Sequence, residues 1–255
     1  MRADTDNNML SVVIPVFKSQ TTLVELHGRL SKLLNESGGG EVIYVNDASP
    51  DNSLEILRKL PPTIPFRILS LTTNQGQSTA LICGLKIAAH RFVATMDADL
   101  QDRPEIVADL LEHLSPQTDV VFAARSGTYE TLPRHITSFF FKSIVYLFSV
   151  GRIPRQAGLF MVIRKKSCEQ FAHFLPKRPY LIGLIARTRL KCTSIVVNRQ
   201  KNSRNETSYT LRKRLKVASA FFRTLCMRHI PSDDEVEKWW SAEVTEIPPL
   251  YRQHF

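Results

Sequence analysis

Acidic residues are missing from two long stretches of this chain. None lies between Glu130 and Glu169, and none within residues 207–232. The net charge is +10, which points to an anionic partner: nucleic acid, a phosphorylated small molecule or acidic lipid. Cysteine is scarce too. Cys83, Cys168, Cys192 and Cys226 are scattered with no Cys-x-x-Cys pair, so neither a zinc knuckle nor a disulfide framework is suggested, and a reducing, cytosolic setting is expected. No apolar run reaches the roughly 20 residues that a membrane-spanning helix needs. Residues 1–8 are polar and acidic and are expected not to be a secretory leader. The sequon Asn205-Glu206-Thr207 is then read as chance. Glycine-rich phosphate cradles are also missing. There is no Gly-x-Gly-x-x-Gly after the first strand and no Gly-x-x-x-x-Gly-Lys-Ser/Thr, so a dinucleotide cradle is unsupported and a P-loop is excluded. Nor is there a Gly-x-Ser-x-Gly elbow.

What the chain does have is alternation. Its 255 residues, 43% of them hydrophobic, suit one domain with a sizeable core, or one domain plus an appendage. Leu10-Ser11-Val12-Val13-Ile14-Pro15 reads as a strand. A helix follows, with Leu23, Leu26, Leu30, Leu33 and Leu34 on one stripe, ended by Gly38-Gly39-Gly40. Glu41-Val42-Ile43-Tyr44-Val45 is a second strand, and Leu54, Leu57 and Leu60 face inward on a second helix. Phe66-Arg67-Ile68-Leu69-Ser70-Leu71 is a third strand, with a third helix over about residues 78–90. Phe92-Val93-Ala94-Thr95, a helix over residues 104–114 and the strand Asp119-Val120-Val121-Phe122-Ala123-Ala124 complete the run. Strands joined through helices predict right-handed units and a largely parallel sheet covered on both faces. Ligands of such sheets gather beyond the carboxyl ends of the strands. The residues there are Pro15 to Phe17, Asn46 and Asp47, Thr72 to Asn74, the Asp97-Ala98-Asp99 turn, and Arg125.

Asp97 and Asp99 lie one residue apart, where a buried strand ends. Such a pair is costly unless neutralised. A divalent cation does this, with Asp99 and Gln101 offering oxygen ligands of the kind that Mg²⁺ or Mn²⁺ prefers. A solvated turn with an acidic helix cap is the plainer alternative. Asp47 likewise suits the cap of the helix after it, Arg125 a surface position, and Gly76 a simple helix-entry turn.

Taken in order, five motifs resemble the family 2 glycosyltransferases, in the dolichyl- and polyprenyl-phosphate sugar transferase branch. They are Val12-Val13-Ile14-Pro15-Val16-Phe17, Val45-Asn46-Asp47-Ala48-Ser49, Asn74-Gln75-Gly76-Gln77, the run from Met96-Asp97-Ala98-Asp99 through Gln101 to Glu105, and Ala123-Ala124-Arg125. The resemblance covers about residues 9–215. It implies an α/β GT-A fold, a nucleotide-binding mostly parallel sheet flanked by helices, with amphipathic helices towards the carboxyl terminus. It also implies a nucleoside-diphosphate sugar donor (UDP- or GDP-linked), a divalent metal and inversion at the anomeric carbon. On this resemblance Pro15 and Phe17 line the base slot, and Asp47 accepts a hydrogen bond from the base. Asn74 and Gly76 belong to the nucleotide site, and Asp97 sits by the ribose and diphosphate. Asp99 and Gln101 hold the metal, and Arg125 pairs with phosphate or orients the acceptor. Two departures stand out. Lys18-Ser19 replaces the Asn-Glu frequent after the first-strand aromatic. Leu159, in Gln156-Ala157-Gly158-Leu159-Phe160, stands where some members have aspartate, which leaves the general base unassigned.

The first acid-free stretch carries Arg134 and Arg155 and a helical face of Ile136, Phe140, Ile144, Leu147 and Phe148. This is either a core helix or a helix lying in the membrane interface. The second carries Tyr209, Arg212 and Lys213, then Phe221, Phe222 and Leu225. Residues 216–255 are expected to form a helical appendage and tail. The expectation is therefore an enzyme passing a sugar to a lipid-linked acceptor, peripheral at the inner face of the plasma membrane, with self-association left open. A nucleic-acid-binding module lacks the expected aromatic sheet motif or zinc module. A non-catalytic scaffold of the same fold is the other alternative.

Overall fold

The computed structural model describes residues 10–126, 146, 149, 151–174, 179–198, 219–225 and 242–245. The helical-face residues Ile136, Phe140, Ile144, Leu147 and Phe148, with Arg134, Tyr209, Arg212 and Lys213, fall outside these residues. The strands are β1 (Leu10–Val16), β2 (Gly40–Asn46), β3 (Phe66–Leu71), β4 (Phe92–Thr95), β5 (Val120–Ser126), β6 (Met161–Arg164), β7 (Cys192–Asn198) and β8 (Ala242–Thr245). The helices are α1 (Leu23–Glu36), α2 (Ser53–Arg58), α3 (Gln77–Ile87), α4 (Ile106–Glu112), α5 (Lys165–Cys168) and α6 (Leu181–Arg187). The strands form one sheet in the order β7-β5-β6-β4-β1-β2-β3-β8.

β1 runs parallel to β2 and β4, β2 to β3, and β5 to β7, as alternation with helices requires. β6 is antiparallel between β4 and β5. The chain leaves β5 and enters β6 at the same edge of the sheet, which brings residues 156–160 back to the carboxyl ends of β1 to β4. β8 is antiparallel to β3. Of residues 216–255, the described segments 219–225 and 242–245 pack against the domain. Ala242–Thr245 extends the sheet, and Phe221 is buried in the core. The sequence carries no apolar stripe strong enough to announce a four-residue edge strand.

Strands covered on both faces split their side chains between two apolar layers. Val12, Ile14 and Val16 point to the layer filled by α1, α2 and α4, and Val13 points to the layer of α3 and α6. The α1 stripe of Leu23, Leu26, Leu30, Leu33 and Leu34 is buried as its spacing predicts. Burying each such side chain contributes about 1.5–3 kcal/mol. Gly84 lets α3 approach β1 closely, because a Cβ there would lie 2.3 Å from Val13 Cγ1. α3 stops at Ile87, short of the expected residue 90. The amides of Ala89 and His90 bond Glu41 Oε1 at 2.8 Å and Ser11 Oγ at 3.1 Å instead of continuing the helix. Glu41 also pairs with Arg67 at 2.6 Å, clamping the amino edge of the sheet.

Two polar side chains, His27 and Ser31, are buried among the leucines of α1. His27 is 1% exposed. Its Nε2 lies 2.8 Å from the Pro61 carbonyl and its Nδ1 3.0 Å from the Tyr44 hydroxyl. A carbonyl only accepts, so Nε2 carries the proton and Nδ1 accepts from Tyr44. Burial pushes the His27 pKa below its ordinary 6.5, and the Pro61 bond only partly offsets this. The native state therefore resists a proton that the unfolded chain takes up below about pH 6.5, so this contribution to stability is full above that pH and is lost as pH falls. Unfolding midpoints are expected to drop between about pH 7.5 and pH 5.5, and to drop less in His27→Gln. Equal pH dependence in the two proteins would contradict this assignment.

Candidate active site

The carboxyl ends of β1 to β4 meet at one edge, and each brings a loop. β1 ends at Pro15-Val16, and Phe17 follows with 44% of its surface exposed. An exposed phenylalanine beside a polar loop is available to stack on a planar ligand. The Lys18 ammonium lies 5.6 Å from its ring centroid.

Asp47 follows β2 and is 3% exposed. Its amide bonds the Val16 carbonyl at 2.9 Å. Its carboxylate accepts the backbone N–H of Gln75 at 2.6 Å and of Gly76 at 2.8 Å. The Asn74 side-chain amide donates to the Asp47 carbonyl at 3.2 Å. Asp47 thus joins the loops after β1, β2 and β3. It does not serve the helix that follows it in sequence, whose N-cap is Asn52. It instead satisfies amides at the start of α3, where Gly76 is the N-cap with φ +91°, a backbone conformation that favours glycine.

After β4 the chain turns through Asp97-Ala98-Asp99. Asp97 accepts a hydrogen bond from the Gln77 side chain at the start of α3. Asp99 Oδ1 accepts the Gln101 N–H at 3.0 Å, a local turn closed around Leu100 with φ +58°. The Ala98 carbonyl accepts from Thr22 Oγ1 at 2.6 Å. α4 begins only at Ile106, and its N-cap residue, Glu105, makes no capping side-chain bond. The acid pair therefore stands apart from the helix terminus that the plainer reading gave it.

Opposite β4, Thr95 Oγ1 donates to the Leu159 carbonyl at 2.6 Å, and the Ala123 N–H reaches the Phe160 carbonyl at 3.0 Å. This seats residues 156–160 between the ends of β4 and β5, beside the acid turn. Four residues before Leu159, the exposed Arg155 guanidinium lies 4.8 Å over the Tyr146 ring. Arg125 pairs through its backbone with Val197 near the end of β5, and its side chain lies outside the described part of the chain. The fold thus brings Pro15, Phe17, Asp47, Asn74, Gly76, Asp97, Asp99 and Gln101 to one edge. Among the described residues, no group of three His, Cys, Asp or Glu side chains is placed to hold a metal by itself.

Sequence reasoning did not single out Thr22, Gln77 or Thr95 as individual site residues. Gln77 closes the Asn74-Gln75-Gly76-Gln77 motif, at the first position of α3. Thr22 and Thr95 carry no local signal, because their partners lie far along the chain.

Fold and edge together define a GT-A glycosyltransferase. The chain belongs to glycosyl transferase family 2, whose pattern matches residues 11–171. It is 29% identical over 211 residues to the uncharacterized glycosyltransferase YkcC of Bacillus subtilis, covering 82% of this chain and 65% of that protein. It is 29% identical over 182 residues to an undecaprenyl-phosphate 4-deoxy-4-formamido-L-arabinose transferase of Aeromonas hydrophila, covering 68% of this chain and 56% of that one. The chain thus spans less than two thirds of either relative. In fold it is similar to glucosyl-3-phosphoglycerate synthase from Mycobacterium tuberculosis, solved with Mn²⁺, UDP and phosphoglyceric acid. That match has a TM-score of 0.62 at 15% identity and covers 94% of this chain and 88% of the synthase.

Proposed function

We propose that this chain transfers a sugar, with inversion, from a nucleoside-diphosphate sugar to a lipid-linked acceptor at a membrane surface. The observation that carries the reading is the convergence of Phe17, Asp47 and the Asp97/Asp99 turn on one sheet edge in a family 2 chain. Phe17 and Pro15 flank the base, and the Asp47 carboxylate, an acceptor-only group, takes its N–H. Asp99 and Gln101 fit Mg²⁺ or Mn²⁺, which need only one or two protein oxygens when water and substrate phosphate complete the shell. Such an ion, when bound, stabilises charge on the departing diphosphate. In the reaction the acceptor oxygen forms a bond to the anomeric carbon. The bond from that carbon to the diphosphate breaks, and the nucleoside diphosphate leaves with the electron pair. Arg125, at the end of β5, is assigned to the phosphates.

The acceptor follows from Leu159. A sugar hydroxyl benefits from a carboxylate base, whereas a polyprenyl phosphate is already anionic and needs none. The undecaprenyl-phosphate relative and the cationic, apolar composition of the two acid-free stretches support a lipid phosphate. Arg155 on its Tyr146 platform suits it as well. Surface attachment at the cytoplasmic leaflet is proposed on that cationic, apolar composition; among the described residues no helix is long and apolar enough to cross a membrane. Basic residues near an anionic leaflet contribute about 1 kcal/mol each. Charge reversal at Arg212, Lys213, Arg214 and Lys216 should therefore weaken binding to anionic vesicles by more than about tenfold, and raised salt should do the same. A protein that ignores anionic vesicles at low salt, and glycosylates a soluble acceptor equally well, would defeat the reading.

A further inference from the structure

The loops after β1 and β2 are joined by a network that the proposed chemistry does not use. Three successive backbone amides of the first loop are taken up by side chains of the second. The Lys18 N–H bonds Ser49 Oγ at 2.7 Å, the Ser19 N–H bonds Ser53 Oγ at 3.1 Å, and the Gln20 N–H bonds Asp51 Oδ2 at 3.2 Å. Both hydroxyls donate to Asp51 Oδ1, each at 2.6 Å. A hydroxyl has one proton. With that proton committed to Asp51, each oxygen must turn its lone pairs to the incoming amide. A single carboxylate therefore sets all three bonds, one directly and two through serines. Asn52 returns the link, its N–H bonding Gln20 Oε1 at 3.1 Å.

The network holds an unfavourable conformation. Lys18 and Ala48 have φ of +56° and +49°, the left-handed region that residues other than glycine adopt uncommonly. Such residues persist where their surroundings over-determine them. Each sits immediately beside a proposed base-slot residue: Lys18 follows Phe17, and Ala48 follows Asp47. The helices on either side have apolar anchors of their own, Leu23 and Leu26 on α1 and Leu57 on α2. The clamp therefore serves the loops more than the core.

We propose that Asp51 is the positioning residue of the nucleotide-base slot, fixing the turn that carries Phe17 against the loop that carries Asp47. This rests on the nucleotide reading of Phe17 and Asp47 above. Burial pushes the Asp51 carboxyl up, but the bonds from Ser49, Ser53 and Gln20 outweigh it and hold it below the usual carboxylate range. It is thus an ionised acceptor at neutral pH. Without the clamp, only a fraction of molecules presents Phe17 correctly, and the apparent dissociation constant rises by the inverse of that fraction.

The test is Asp51→Asn. Its Oδ1 still accepts from Ser49 and Ser53 and keeps the Ser53 N–H bond of 3.2 Å at the start of α2, while its NH₂ meets the Gln20 N–H donor to donor. Calorimetric titration with UDP and with GDP should show binding weakened about five- to tenfold. The unfolding midpoint should hold, and the kinetic loss should fall on KM for the donor rather than on kcat. In a Phe17→Ala background the same substitution should add less than about twofold, because it acts through that ring. A fully additive effect, unchanged nucleotide affinity, or a loss that only tracks a lower unfolding midpoint would each overturn the assignment. Wild-type protein that binds neither UDP nor GDP would instead overturn the nucleotide reading, and this inference with it.

Discussion

Asp99→Ala is expected to lower sugar transfer by about 10²–10³-fold, the loss typical when one group stabilising a developing charge is removed. The fold should stay intact. Asp99 is only partly buried and lies in a turn after β4 rather than in either apolar layer. Among its bonds is one from the Gln101 N–H at 3.0 Å, which partial exposure holds to the low end of the about 1.5–3 kcal/mol of a charged acceptor. Asp99→Asn sharpens the comparison. The amide oxygen can still accept from Gln101, so the turn is kept while the negative charge is removed. If the charge matters, through the proposed cation, Asn and Ala should be about equally inactive, and both should lose any gain in nucleotide binding that Mn²⁺ gives the wild type. If only the turn matters, Asn should recover activity. Full activity in Asp99→Ala, or in wild type with excess chelator, would sink the metal proposal.

What could be read from the sequence was whatever depends on near neighbours. Leu23, Leu26, Leu30 and Leu34 announce α1 because a helix brings those positions to one face. β3 spans Phe66–Leu71 as read, and β4 ends at Thr95 just before the acid turn. The strand-end rule then placed Asp47, Asp97 and Asp99 on one edge before any contact was known. What could not be read is held by pairings across the chain. Thr22 reaches Ala98 over 76 positions, and Thr95 reaches Leu159 over 64. No local pattern encodes either. His27 is a similar case: a histidine between Leu26 and Leu30 reads as a flaw in the stripe until Pro61 and Tyr44 supply its partners. Asp47 lies between the two kinds. Its place at the strand end was legible, but its bonds to the amides that open α3 were not, and they change what its removal should do.

Asp47→Ala is accordingly expected to lower both stability and nucleotide binding. The carboxylate is 3% exposed and is the acceptor for the N–H groups of Gln75 and Gly76. Bonds to a charged acceptor are worth about 1.5–3 kcal/mol. The carboxylate also lies at the amino end of α3, where negative charge is favourable by a further few tenths to about 1 kcal/mol. Together these predict a loss of about 3 kcal/mol or more in unfolding free energy, measured by denaturant titration. Asp47→Asn should fall between, since its oxygen can accept one of the two amides and its NH₂ cannot accept the other. Nucleotide binding should order the variants differently. A base N–H at the slot needs an acceptor, and the Asn oxygen committed to α3 leaves an NH₂ facing it. Both variants should therefore bind nucleoside diphosphate about 1–3 kcal/mol more weakly than wild type, at a temperature where all three are folded. Stability that falls in steps from Asp to Asn to Ala, with nucleotide affinity unchanged throughout, would leave Asp47 as the anchor of α3 and remove it from the donor site.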